Sequence, residues 1–278
     1  MSAVAFIGLG QIGTPMAAHL IDWPGGLVVC DIRPEATEPF AEKGAVVASS
    51  PSEVAERSEI ISVMVRDDDQ VRDVVRELAE TCRSRSVVAV HSTIRPGTAE
   101  VLAREASAKD VELLDAPVSG GFMGATEGSL AVLVGGSHEA LQRSEAVFSR
   151  WASLIVHLGP AGAGTRAKLA RNLLQFVSYS AAAEAQRLAE AAGVDLLELA
   201  KVVRHSDRVT GGPGAIMLRH TTAPLSQGDP LYDILSHTRE LGEKDLTLAL
   251  ELGRSLGVGL PFAQLALERF DAGLGETT

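Results

Sequence analysis

The chain has 278 residues, 46% of them hydrophobic, and a formal net charge of −11. Such a length supports one large domain or two ordinary ones, and an acidic chain without a basic stripe argues against a nucleic-acid partner. Cys30 and Cys82 make neither a disulfide framework nor a zinc-ligand set, which suits a reducing cytoplasm, while MSAVAFIGLG lacks the pattern of a signal peptide and no run is apolar enough to span a bilayer.

In chain order, short apolar runs predict buried strands at residues 4–9, 27–30, 60–65, 87–90, 111–114 and 130–134. Helical stretches lie between most of them, at 15–22, 34–43, 69–81 and 97–108. This alternation predicts βαβ units and a mainly parallel sheet with helices on both faces. Beyond about Gly164 the strand signals stop. Residues 165–193 read as one helix rich in Ala and Leu, and further helices are expected at 196–205, 239–257 and 261–272.

The first turn reads GLGQIG, with Gly8, Gly10 and Gly13 after a strand and at the opening of a helix. Gly8 permits the tight turn. Gly10 lets backbone approach a pyrophosphate, and Gly13 lets the helix pack on the strand. Leu9, Gln11 and Ile12 complete the loop. Its place in the first βαβ unit, with Asp31 at the end of the second strand, makes it a dinucleotide-binding motif rather than a bare glycine turn. The expected α/β organisation is an N-terminal Rossmann-type domain over 1–162 and an all-α domain over 163–278, joined by the long helix.

Asp31 suits the ribose hydroxyls of NAD and opposes the extra phosphate of NADP. Arg33, two residues on, leaves NADP open. Val65 and Arg66 after the fourth strand, and Ser92 and Thr93 after the fifth, lie beyond strand ends where such sheets bind ligands. Thr93 serves equally well as a helix cap. In DAPVSGG, residues 115–121, Ser119, Gly120 and Gly121 offer a hydroxyl and backbone N–H groups for a small carboxylate, or merely a glycine loop. Asp115 reads as structural, bonding loop backbone.

AGAGTRAKLARNLLQ, residues 161–175, carries Arg166, Lys168 and Arg171. On a helix, Lys168, Asn172, Gln175 and Tyr179 share one narrow face, with Arg166 nearly opposite and Arg171 on the flank. Oxidising an alcohol with NAD needs a base for the hydroxyl proton, and a lysine serves if burial and a neighbouring cation lower its pKa. A solvated helix face is the competing reading, and helical geometry alone does not separate the two.

Taken together, GLGQIGTPMAAHL, DAPVSGGFMGATEGSLAVLVGG, GAGTRAKLARN and EKDLTLAL, in that order, resemble the β-hydroxyacid dehydrogenase family over nearly the whole chain. The resemblance implies that Lys168 is the catalytic lysine and Asn172 its partner. It places Ser119, Gly120 and Gly121 on the substrate carboxylate, with Lys168 and Asn172 also touching substrate. It sets Lys244, with Ser92 and Thr93, near the cofactor. It implies an active site between the two domains and a homodimer or homotetramer. Arg171 departs from the pattern, since relatives often carry asparagine there. The turn Met64, Val65, Arg66 and the residue His91 depart from it too, and residues 211–237 match no family pattern.

His205, His220 and His237 read as surface or packing histidines, and no metal is expected. Three functions follow for comparison. The first is an NAD-dependent dehydrogenase of a small β-hydroxyacid. The second is an NADP-dependent imine or ketone reductase of the same superfamily, against which Lys168 and Asp31 both argue. The third is a non-catalytic dinucleotide sensor.

Overall fold

The computed structural model describes residues 2–275. Its contacts divide the chain into two units, Met1–Arg171 and Asn172–Thr278. In the first unit β1 (Val4–Ile7), β2 (Leu27–Cys30), β3 (Val46–Val47), β4 (Ile60–Val63), β5 (Val87–Val90) and β6 (Glu112–Asp115) form a parallel array. Their order is β3-β2-β1-β4-β5-β6. The chain reverses direction across the sheet between β1 and β4, which is where open α/β sheets place a ligand crevice. The connecting helices are α1 (Gly13–Ala18), α2 (Pro34–Ala41), α3 (Pro51–Arg57), α4 (Asp68–Thr81) and α5 (Pro96–Ser107).

The sheet then departs from the expected parallel pattern. β7 (Val118–Ser119) pairs antiparallel with β8 (Leu130–Gly135) across α6 (Gly121–Glu127), and β8 meets β6 through Asp115 and Gly135. After α7 (His138–Phe148), β9 (Ala152–Gly159) runs parallel to β8. Sequence periodicity missed β9 because only one face is covered: Leu154, Val156 and Leu158 are exposed. It missed α3 and α7 because both are short, polar and started by a serine cap, Ser50 and Ser137.

Strands VAFI, LVVC and VVAV are apolar at every position because both faces of the sheet are covered. Side chains alternate between two cores. Val4 and Phe6 join Met16, Leu20, Phe148 and Trp151, whereas Ala5 and Ile7 join Val54, Val71, Val75, Leu78 and Leu102.

His91 lies in the first of these surroundings, 1% exposed, with its ring 5.3 Å from Phe148 and 5.7 Å from Trp151. A carbonyl only accepts, so Nδ1 donates to Ala116 (2.8 Å), and Nε2 accepts from the Ser62 hydroxyl at 3.1 Å. Burial pushes its pKa down to about 4, against a smaller raising effect of the Ala116 bond. The unfolded chain protonates this histidine near 6.5, so the fold loses stability as pH falls below that value and stops losing it near 4. The loss is about 3 kcal/mol by the acid end of that window. Thermal unfolding followed from pH 7 to 4 shows this slope, and His91→Phe flattens it. An unchanged slope in the variant assigns the acid sensitivity to other groups.

α8 (Ala163–Ala191) begins in the first unit and continues into the second as one helix. The second unit adds α9 (Leu196–Thr210), a short 3-10 turn at Gly212–Gly214, α10 (Tyr232–Leu256) and α11 (Pro261–Gly273). α10 starts seven residues before the expected Arg239, so His237 falls inside it. α11 has no capping side chain of its own; Glu184 of α8, 4% exposed, accepts from the N–H groups of Phe262 (2.9 Å) and Ala263 (3.0 Å). Among the described residues no helix is long and apolar enough to cross a membrane.

Candidate active site

The glycines of the first turn are sterically distinct. Gly8 has φ +94°, and a Cβ there would collide with the Met64 carbonyl oxygen. A Cβ at Gly13 would collide with the Gly8 carbonyl oxygen. A Cβ at Gly10 would meet nothing within 4 Å, so this side of its backbone faces open space. Two glycines therefore close the turn onto β4 and α1, and the third leaves a surface free for a phosphate group.

Asp31 follows β2 directly and braces this loop. Its Oδ2 accepts from Leu9 N–H at 2.6 Å, and its Oδ1 accepts from Arg33 N–H at 2.9 Å and Arg33 Nε at 3.2 Å. Arg33 reaches on to the Leu9 carbonyl oxygen at 3.1 Å. Burial alone would raise the carboxyl, but these bonds and the Arg33 charge outweigh it and hold Asp31 below its usual range. Asp31 does not cap α2, whose N-cap residue is Arg33. Beside it Ile32 is 88% exposed, a bare apolar side chain that sequence patterning passed over.

Ser92 is 3% exposed, and its hydroxyl accepts from Val65 N–H (2.9 Å) and donates to the Val65 carbonyl oxygen (2.7 Å). It thus ties the β5 end to the β4 end and shapes the turn carrying Val65. Arg66 is exposed and pairs with Asp67 at 3.0 Å. Thr93 is exposed and does not cap α5, whose N-cap is Arg95; Asp68 braces that helix start from α4, accepting from Arg95 N–H at 3.2 Å and from the Thr98 hydroxyl.

Ser119 is half-buried, and its hydroxyl makes no hydrogen bond among the described residues. Gly120 and Gly121 follow at φ +135° and +64°, a backbone path that side chains disfavour. Gly121 has open space around it. Phe122 and Met123, on the first turn of α6, are exposed and add apolar surface next to this loop.

Asp115 connects that loop to α8. It is fully buried, and its two oxygens accept from Gly162 N–H and Thr165 N–H, each at 2.7 Å. Both donors are free amides of the α8 start, so a strand-end carboxylate caps a helix about fifty residues away in sequence. Burial pushes the Asp115 carboxyl up from its usual range, and the two N–H bonds offset only part of that. Gly135 and Gly164 allow the approach, because a Cβ on Gly135 would strike Asp115 and one on Gly164 would strike the Leu133 and Asp115 carbonyl oxygens.

Lys168 sits one turn beyond Thr165 and is half-buried. Burial, and then the charge of Arg171, hold its ammonium below the ordinary lysine value. No carboxylate pairs with it among the described residues, whereas Arg166 pairs with Glu100. Asn172, also half-buried, stands one turn further on. On the same face Gln175 donates to the Tyr179 hydroxyl. In the second unit Lys244 is exposed and 3.3 Å from Asp245. His205, His220 and His237 are exposed, and the described residues hold no cluster of metal ligands. An open groove of about 550 Å³ between α5 and the β9–α8 turn, lined by Glu100, Arg104, Pro160 and Arg166, contains none of the motif residues other than this paired arginine.

A family model described as the NAD binding domain of 6-phosphogluconate dehydrogenase matches residues 3–159. A second, described as NAD-binding of NADP-dependent 3-hydroxyisobutyrate dehydrogenase, matches residues 162–277. An uncharacterized oxidoreductase of Mycobacterium tuberculosis is 58% identical over 98% of this chain and 93% of its own. The 3-hydroxyisobutyrate dehydrogenase of Pseudomonas aeruginosa is 34% identical over 97% of this chain and 91% of its own. The crystal structure of an oxidoreductase from Mycobacterium avium superposes with a TM-score of 0.94 at 51% identity, covering all of both chains. The chain belongs to the β-hydroxyacid dehydrogenase family and is an NAD(P)-dependent dehydrogenase acting on CH–OH groups.

Proposed function

We propose that this enzyme interconverts a small 3-hydroxyacid and its carbonyl counterpart, with NAD as redox partner and Lys168 as the group that exchanges the hydroxyl proton. The observation that carries this reading is the state of Lys168: half-buried, without a carboxylate, its ammonium destabilised, on a helix held at its start by Asp115. The first turn fits a dinucleotide because Gly10 is open while Gly8 and Gly13 have no room. The nicotinamide supplies hydride acceptance in oxidation and hydride donation in reduction.

In this reading residues 8–13 hold the pyrophosphate, Asp31 and Arg33 border the adenosine ribose, and the turns at Val65, Arg66, Ser92 and Thr93 border the rest of the cofactor. Ser119, Gly120 and Gly121 hold the substrate carboxylate, Lys168 takes the hydroxyl proton, Asn172 orients, and Lys244 adds positive charge near the cofactor. Asp31 favours NAD over NADP. A panel of 3-hydroxyacids and semialdehydes assayed with both cofactors, read by nicotinamide absorbance, should give turnover with a higher kcat/KM for NAD. Reduction of a cyclic imine by NADPH, beside no hydroxyacid oxidation, would reverse the reading in favour of an imine reductase.

The exposed apolar side chains of the second unit support a homo-oligomer. α9 and α11 fully bury none of their residues, and Leu173, Leu197, Val209 and Met217 are each more than two-thirds exposed. Apolar helix faces of this extent need a cover, and a second copy of the chain supplies it. Sedimentation equilibrium should return at least twice the chain mass of 29.1 kDa. A monomer at micromolar concentration rejects the assignment.

A further inference from the structure

Lys168 and Arg171 are two cations on one turn of α8, about 60° apart around the helix. Neither pairs with a carboxylate among the described residues. Their helical neighbours three and four positions away cannot help, since Gly164, Thr165, Asn172, Leu174 and Gln175 carry no charge. Elsewhere on the same helix arginines are matched: Arg166 with Glu100, and Arg187 with Glu184 at 3.8 Å. The whole chain is acidic, at −11, so an unmatched cation pair on one helical turn stands against the general charge balance. Arg171 also works against Lys168, because its charge is one of the two causes that destabilise the lysine ammonium. Like charges this close on a helix are unfavourable, and an anion placed between them removes the penalty.

A plain 3-hydroxyacid brings one negative charge, and the Ser119–Gly121 loop already offers a hydroxyl and backbone N–H groups for it. Lys168 must also lose its proton to serve as a base. The charge of Arg171 is then left for a second acidic group. We propose that Arg171 is a specificity-determining residue, and that the substrate is a 3-hydroxyacid bearing a second acidic group that Arg171 holds beside the reacting carbinol. This rests on the dehydrogenase reading above. It assigns a task to Arg171, an α8 cation that no carboxylate of the described residues matches.

The test uses matched pairs in which a methyl group becomes a carboxylate: 3-hydroxybutanoate against malate, and 3-hydroxyisobutyrate against hydroxymethylmalonate. With the intact enzyme and NAD, the dicarboxylate of at least one pair should have the larger kcat/KM, by about 10- to 100-fold, the range of a charge-assisted hydrogen bond. Arg171→Gln should collapse that ratio through the KM of the dicarboxylate, and Arg171→Lys should restore part of it. The ratio is insensitive to any general effect of Arg171 on Lys168, because both members of a pair depend on the same base. Faster turnover of the monocarboxylate in both pairs by the intact enzyme overturns the proposal without recourse to any variant. So does a ratio that Arg171→Gln leaves unchanged. No turnover of any of the four compounds, or of the wider panel, would instead count against the dehydrogenase reading itself.

Discussion

On the proposed assignment, Lys168→Ala should lower kcat by about 10²- to 10⁴-fold, the usual contribution of a positioned general acid or base, and should leave NAD binding in place. The separation follows from where the two tasks lie. The dinucleotide loop is built from the β1 end, Asp31 and the Val65 turn, and its bonds run among Leu9, Asp31, Arg33 and Ser92. None of them involves Lys168. Cofactor fluorescence titration should give a dissociation constant close to that of the unaltered protein, and stopped-flow absorbance should show the chemical step lost. The pH profile adds a second readout. Burial, and then Arg171, hold the Lys168 ammonium below its ordinary value. The neutral amine needed for oxidation therefore appears at a pH below the usual lysine range, so oxidation gains rate through that lowered pKa and reduction loses rate through it. Lys168→Ala should remove this limb in both directions. Near-normal turnover in the variant would end the assignment.

What could be read from sequence were features whose cause is local. Gly8, Gly10 and Gly13 show their separate duties in their spacing, because each is decided by atoms at one turn. The β1, β2 and β5 strands were legible as unbroken apolar runs, and α8 as a long Ala- and Leu-rich segment. Features set by contacts distant in sequence were not legible. The hydroxyl of Ser92 could be placed near a ligand but not on Val65, 27 residues back. Thr93 read equally as a ligand contact or a cap for α5, whereas the carboxylate that braces this helix start, Asp68, comes from another helix. β9 hides its period because its outer face is apolar and exposed. His91 was legible only as a departure from the family pattern at the end of β5, and its ring packs against Phe148 and Trp151. Lys168 lay between these cases. Helical phase put it on a face with Asn172, but its half-burial and its unmatched charge needed the fold.

Asp115→Ala should be the most damaging single change away from the reacting groups. It removes an acceptor that is fully buried and leaves the N–H groups of Gly162 and Thr165 without a partner. Unsatisfied buried donors make the loss about 3 kcal/mol, less any relief from no longer burying a carboxylate. Thermal unfolding should therefore shift down by several degrees. The effect on turnover should exceed the effect on stability. Lys168 is only one turn beyond Thr165, so freeing the helix start should move this proposed base relative to the Ser119–Gly121 loop, which leaves the same strand end as Asp115. Misplacement of a catalytic group by an ångström costs on the order of 100-fold. Asp115→Asn separates the two effects. Its carboxamide keeps one acceptor oxygen and turns a donor toward the other N–H, so the helix start is held on one side only. Assayed well below its unfolding temperature, Asp115→Asn should be folded, bind NAD as before and turn over slowly, with the Lys168 limb of its pH profile displaced. A variant that lost only thermal stability, with kcat and pH profile intact at low temperature, would reduce Asp115 to a structural cap.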